Sequence, residues 1–218
     1  MSKVIVTSTV ATKYGIGDRV AETLSTIESI RKRLDAEIIL IDSSIADWDE
    51  KPVRDAVDVF TRVRNQKVCN ILESGYGMSF VKSATEVELT QVALELIGST
   101  NDRIYKLSGR YRLNDEFVPH EGVNFTFLRP RATGLPVHMV QTSLMLMTRL
   151  YSFSPELRLY YQKVLKSVEK YIWDVHKNGH VTDIEHGLYK FIDKDLCRFV
   201  NTIGVEGRIG HLSTEVRE

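Results

Sequence analysis

Residues 3 to 9, KVIVTST, are a β-branched run with the look of a short strand. Residues 19 to 34 then place Val20, Leu24, Ile27, Ile30 and Leu34 on one helical stripe, and residues 37 to 44, EIILIDSS, return to a buried-strand pattern. This strand, helix, strand order constrains the chain more than any other feature. Parallel neighbours need a crossover connection, and such crossovers are right-handed in nearly all cases. The expected fold class is α/β: one Rossmann-like domain with a mostly parallel central sheet and C-terminal helices. With 218 residues, 43% of them hydrophobic, the chain has the core for one domain and little room for a second. Within it, 1–115 reads as a nucleotide-binding half, and 116–218 as an acceptor half with the closing helices.

KVCNIL at 67 to 72 is the expected third strand, followed by the glycine-bearing loop ESGYGMS. Ser83 and Glu86 have the spacing of a capping box before VELTQVALELI. DRIYKL is the expected fourth strand. VNFTFLR alternates as a half-buried strand, and VQTSLMLMTRLYSF reads as strand then turn. Ser154 and Pro155 form a helix start. Leu157, Tyr161, Val164, Val168, Ile172 and Val175 carry that helix's apolar face. A last helix is expected from about Asp183 to Val200, before a glycine-bearing tail of mixed charge. No internal repeat or linker stands out.

Lys plus Arg number 29 and Asp plus Glu number 29, so no global field draws the protein to nucleic acid or an anionic bilayer. Any anion must be held by a local pocket. Cys69 and Cys197 are too few for a disulfide framework or a zinc site, and MSKVIVTSTV lacks the regions of a signal peptide. No apolar run approaches the roughly 20 residues that span a bilayer. The expected location is the cytoplasm, including the inner face of a membrane as a peripheral protein.

In an open parallel sheet, ligands sit beyond the carboxyl ends of the strands near the switch in strand order. That rule selects Thr7, Ser8 and Thr9 after the first strand, with Arg19 opening the next helix. It selects Asp42, Ser43 and Ser44 after the second, and Ser108, Gly109, Arg110, Tyr111 and Arg112 after the fourth, where Lys106 is also a candidate phosphate contact. Hydroxyls and an aspartate suit a nucleoside's base and ribose. Arginines suit phosphates, because the planar fork meets two oxygens at once. The chain has neither a GxxxxGK phosphate loop nor a GxGxxG after its first strand.

The segment TSTVATKYGIGDRVAETLSTIESIRKRLDAEIILIDSS resembles the opening of a GT-A glycosyltransferase, particularly of family 2. Strand, arginine, an ETLxSIxSI-like helix and a strand ending in Asp-x-Ser follow in that order. KLSGRY is similar to a segment of small bacterial and phage-type sugar transferases. The likeness covers the first half well and the second loosely. It implies a nucleotide-diphosphate sugar as donor and a glycan, lipid-linked or other hydroxyl as acceptor. Most such enzymes place a metal-binding Asp-x-Asp after the fourth strand, where this chain has GRYRLND. Arg110 and Arg112 are therefore expected to neutralise the diphosphate, with divalent metal dispensable and no metal ligand assigned. Asp47 with Asp49, and Asp193 with Asp195, match Asp-x-Asp in the wrong places.

The resemblance also implies an inverting transfer, with a general base from an acidic pair at the start of a late helix. HVTDIEHGLYKFI matches that region and offers Glu185, Asp183 and His186, although Thr182 with Glu185 also fits a capping box. Arg208 and His211 are candidates to close over the donor phosphates. Each candidate has a bland reading: Arg19 a solvated helix start, Asp42 an Asx-turn, Lys106 an ion-pair partner, Tyr111 a core residue, and His138 a packed histidine. Two further functions stay open, a GT-like binding or scaffold protein without chemistry, and a phage-type DNA-base glycosyltransferase. Zero net charge argues against the second.

Overall fold

The computed structural model describes residues 1–11, 19–64, 78–209 and 214–218, with the side chains of 78, 79, 208, 209 and 214 set aside. Its largest element is a seven-stranded sheet. In chain order its strands are β1 (Ser2–Ser8), β2 (Ala36–Asp42), β3 (Val59–Arg62), β4 (Ile104–Ser108), β6 (Phe125–Leu128), β9 (Leu150–Phe153) and β10 (Cys197–Val200). The order across the sheet is β10-β6-β9-β4-β1-β2-β3. β1 pairs in parallel with β2 and β4, and β10 with β6, while β9 runs against both its neighbours. The sheet is mostly parallel, and the chain reverses its direction of travel across it between β1 and β4. Because β6, β9 and β10 come from the second half, residues 116–218 help to build the same sheet as 1–115.

Alternation along β1 and β2 sends Val4, Val6, Ile38 and Leu40 to one layer and Ile5, Ile39 and Ile41 to the other, so both faces must be covered. Helix α1 (Arg19–Arg33) covers the first face with Ile27 and Ile30. The second face is covered by α3 (Met78–Ile97), α5 (Arg158–Lys177) and α6 (Ile184–Phe191). A four-residue turn of helix, α2 (Lys51–Arg54), leads into β3. A three-stranded sheet joins β5 (Tyr111–Leu113) to β11 (Val205–Ile209) and β12 (Thr214–Arg217). A hairpin of β7 (Arg131–Ala132) and β8 (Leu144–Met145) carries the short helix α4 (Val137–Val140) at its tip. No described helix is long and apolar enough to cross a membrane.

The early elements and the helix after Ser154 stand where the sequence placed them, the latter entered through a 3-10 turn at Pro155–Leu157. Four expectations are corrected. The strand beside β2 is Val59–Arg62, and the expected strand at 67 to 72 lies outside the described residues. Ser83 and Glu86 lie inside α3 and cannot cap it. The final helix stops at Phe191, because Ile192 is extended and Asp193 caps a new 3-10 turn, after which Cys197–Val200 joins the sheet. The tail supplies β11 and β12, which pair through β5.

Candidate functional site

The carboxyl ends of β1, β2 and β4 meet at the β1/β4 switch, the position where open α/β sheets bind ligands. Most of the hydroxyls there bind one another. Thr9 Oγ1 lies 2.6 Å from Ser43 Oγ, Ser8 Oγ lies 3.2 Å from Thr23 Oγ1, and Ala11 N–H donates to Ser44 Oγ at 2.7 Å. Asp42 is fully buried. Its two oxygens accept from the main-chain N–H of Val10 and of Ser44, each at 3.0 Å. Asp42 therefore ties the loop after β1 to the loop after β2, instead of facing a nucleoside. Thr7 is also buried, and its carbonyl accepts from Gly109 N–H at 2.8 Å. A Cβ on Gly109 would lie 3.2 Å from Thr7 O and from Ser8, so the close approach that glycine permits is to β1.

Lys106 is a further correction. Its side chain has no exposed surface, and its ammonium pairs with Glu86 of α3 while donating to Ser108 Oγ and Thr148 O, both at 3.0 Å. A phosphate contact is out of its reach. Tyr111 belongs to the core under α1, its ring flanked by Arg110 and Arg149. Arg112 lies on the outer face of β5, where its register partner Glu206 takes its guanidinium at 2.6 Å. Arg110 and Arg112 line the same cleft beside α1, but the Arg112 guanidinium is already neutralised by Glu206.

What remains at the switch is cationic. Burial and the neighbouring charge of Arg110 lower the pKa of Arg19, against a smaller opposing effect of Glu22. Burial, then Arg110 and Arg19, do the same to Lys82 on α3. Three positive side chains from the start of α1, the start of α3 and the end of β4 thus feel one another. Among the described residues, Arg110 and Lys82 have no carboxylate partner, since Asp115 and Glu116 are taken by Arg33 and Arg217. Glu22, 3.7 Å from Arg19, offsets one of the three charges, and the positive excess that remains favours an anion. Lys82 went unnoticed in the sequence because it stands one turn into a helix whose start the capping pattern misplaced.

The second cluster lies on α6. Asp183 caps the helix by accepting from His186 N–H at 2.9 Å, so Thr182 is not the cap. Thr182 donates instead to Tyr171 Oη. His186 is buried, its Nδ1 2.6 Å from Asp183 Oδ1 and its Nε2 2.7 Å from Thr133 Oγ1. With both ring nitrogens engaged, it fixes the β7–β8 hairpin to α6. Glu185 differs. Its Oε1 accepts from Thr148 N–H at 3.3 Å and from Thr148 Oγ1 at 3.4 Å, and burial, then Asp183, push its carboxyl up to about 7. Part of its surface stays open.

Arg208 stands on β11 opposite Glu215, with its side chain outside the described residues, as is the whole of His211. His138 is exposed on α4, not packed. Asp47 pairs with Arg62 and Arg64, Asp49 accepts from Lys51 N–H, and Asp193 accepts from Asp195 N–H.

No family model matches the chain, and no curated protein does. Solved structures do. Mouse xyloside xylosyltransferase 1 in its apo form superposes with a TM-score of 0.50 at 9% identity, over 91% of this chain and 85% of that one. The galactosyltransferase LgtC, in complex with donor and acceptor sugar analogues, superposes with a TM-score of 0.54 at 9% identity, over 91% of this chain and 73% of that one. The fold is GT-A-like. The end of β4 holds Ser108, Gly109 and Arg110, with Arg19 and Lys82 near Arg110. That donor set does not fit a divalent cation, which requires hard oxygen ligands. Among the described residues, no group of three or more His, Cys, Asp and Glu side chains could hold one.

Proposed function

We propose that the protein transfers a glycosyl group from a nucleoside-diphosphate sugar to a hydroxyl of a glycan or lipid-linked acceptor. The observation that carries this reading is the convergence of Arg19, Lys82 and Arg110 at the β1/β4 switch of a GT-A-like fold. Two structures of similar fold are a xylosyltransferase and a galactosyltransferase, which favours glycosyl transfer over other uses of a diphosphate pocket. The three cations hold the diphosphate and stabilise the charge that grows on it as the glycosyl bond breaks. Glu185 takes the proton of the acceptor hydroxyl as its oxygen attacks the anomeric carbon, and the nucleoside diphosphate leaves with the bonding electrons. A direct displacement of this kind inverts the anomeric centre. A carboxyl titrating near 7 suits that work, since the base must be ionised yet basic enough to accept a proton.

The test is a thermal-shift panel of nucleosides, nucleoside diphosphates and nucleotide sugars, followed by product analysis with whichever donor stabilises. A ligand at 100 times its Kd stabilises by about 2.7 kcal/mol, well within reach of the method. Stabilisation by diphosphates but not nucleosides supports the reading, and an inverted anomer in the product supports the base.

A further inference from the structure

We infer that Thr148 is a positioning residue for Glu185, holding the carboxylate at a fixed place and setting the pH range in which it can accept a proton. This rests on Glu185 being the base proposed above, and on geometry at three atoms. The chain between β8 and β9 grips Glu185 at both ends: Leu146 N–H donates to the Glu185 carbonyl at 3.1 Å, while the main-chain N–H and hydroxyl of Thr148 point at Glu185 Oε1. Thr148 is buried, and its own carbonyl accepts from the Lys106 ammonium at 3.0 Å. That ammonium is bound in turn to Glu86 and to Ser108 Oγ. One residue thus links the base on α6 to the last residue of β4, next to Gly109 and Arg110 in the donor pocket. A hydroxyl spent on Glu185 is not needed to satisfy the fold, since Thr148 N–H already donates there and no other partner claims the side chain among the described residues.

The charged groups around Glu185 come from every neighbouring element. Asp183 and His186 share its segment, Glu86 faces it from α3, Arg149 from the connection just before β9, and Lys106 from β4 through Thr148. Asp183 and Glu86 disfavour the ionised form, and the Thr148 main-chain N–H and Arg149 favour it, with the Thr148 hydroxyl a second donor 3.4 Å from the same oxygen. Removing the hydroxyl donor therefore moves the titration upward.

The test is Thr148→Val, with Thr148→Ser as rescue and Thr148→Ala as a second variant lacking the hydroxyl. Glu185 is followed by carbon NMR of labelled glutamate, its signal identified by its absence in Glu185→Gln, and transfer is measured across pH. The expected result is a Glu185 midpoint and an acid limb about 0.5–1 unit higher in Thr148→Val and Thr148→Ala, both restored by Thr148→Ser. The rate near pH 6 then falls roughly three- to tenfold, against little change above pH 8.5, with the same KM for donor. A loss equal at every pH, or an unmoved midpoint in a folded variant, overturns the inference. Normal turnover in Glu185→Gln overturns the base reading and the inference with it. The NMR titration, which needs no turnover, tells that failure from the other.

Discussion

At the residue scale, Glu185 carries opposed demands on stability and chemistry. Its folded pKa of about 7 stands above the ordinary carboxyl value, so the fold binds this proton more tightly than the unfolded chain does. The penalty for ionising it is absent below about pH 4.5, grows as pH rises, and is complete above about pH 7. Glu185→Gln should therefore leave stability nearly unchanged near pH 4 and raise it by about 1–3 kcal/mol at pH 8. Denaturant midpoints at the two pH values check this, and equal midpoints would mean an ordinary, solvated carboxyl. The same variant should lower transfer by about 100-fold or more while donor binding persists. Lys106 sets the opposite case. Lys106→Met strands the Glu86 charge, an imbalance that costs on the order of 3–5 kcal/mol, so lost activity should track lost folding, and Lys106→Met with Glu86→Gln should recover much of both. Activity lost with the melting temperature intact would return Lys106 to the donor site.

At the element scale, α6 matters because it presents Glu185, and its packing depends on one glycine. A Cβ on Gly187 would come within 2.7 Å of Val168 Cγ1 on α5. Gly187→Ala should destabilise by about 1–3 kcal/mol through overpacking and should weaken transfer more than donor binding, because α6 moves and the β1/β4 switch does not. Urea midpoints and separate binding and turnover assays distinguish the two. The elements legible in the sequence were those whose signal is local. β1, α1 and β2 are spelled by β-branched runs and a stripe, and the helix after Ser154 by its proline start and apolar face. The misread ones depend on distant partners. Leu188, Ile192 and Leu196 continue a helical spacing through Asp193, yet Cys197–Val200 is claimed by β6 some seventy residues back. VEGRI and TEVR look like a polar tail until β5 offers them an edge.

At the scale of the whole molecule, the sequence told which strand ends meet at the β1/β4 switch without telling which side chains face it. A strand-end position says where a residue stands, while the direction of its side chain depends on the neighbouring strand's register. Arg19 and Arg110 keep their place at the switch, Asp42, Lys106 and Tyr111 turn inward, and Lys82 joins from a helix distant in sequence. In the function proposed above, these three cations hold a diphosphate without metal. The direct measurement is calorimetric titration of uridine diphosphate, inorganic pyrophosphate and uridine into the protein and its Arg110→Ala and Lys82→Ala variants, all in excess chelator. Diphosphate and pyrophosphate binding should persist in chelator, weaken with added salt, and fall several-fold to a hundredfold in Arg110→Ala, on the scale of about 1.5–3 kcal/mol for a charge-assisted hydrogen bond. Uridine binding should be nearly unchanged by either substitution. Diphosphate binding that vanishes in chelator and returns with manganese, or that is indifferent to Arg110 and Lys82, would contradict it.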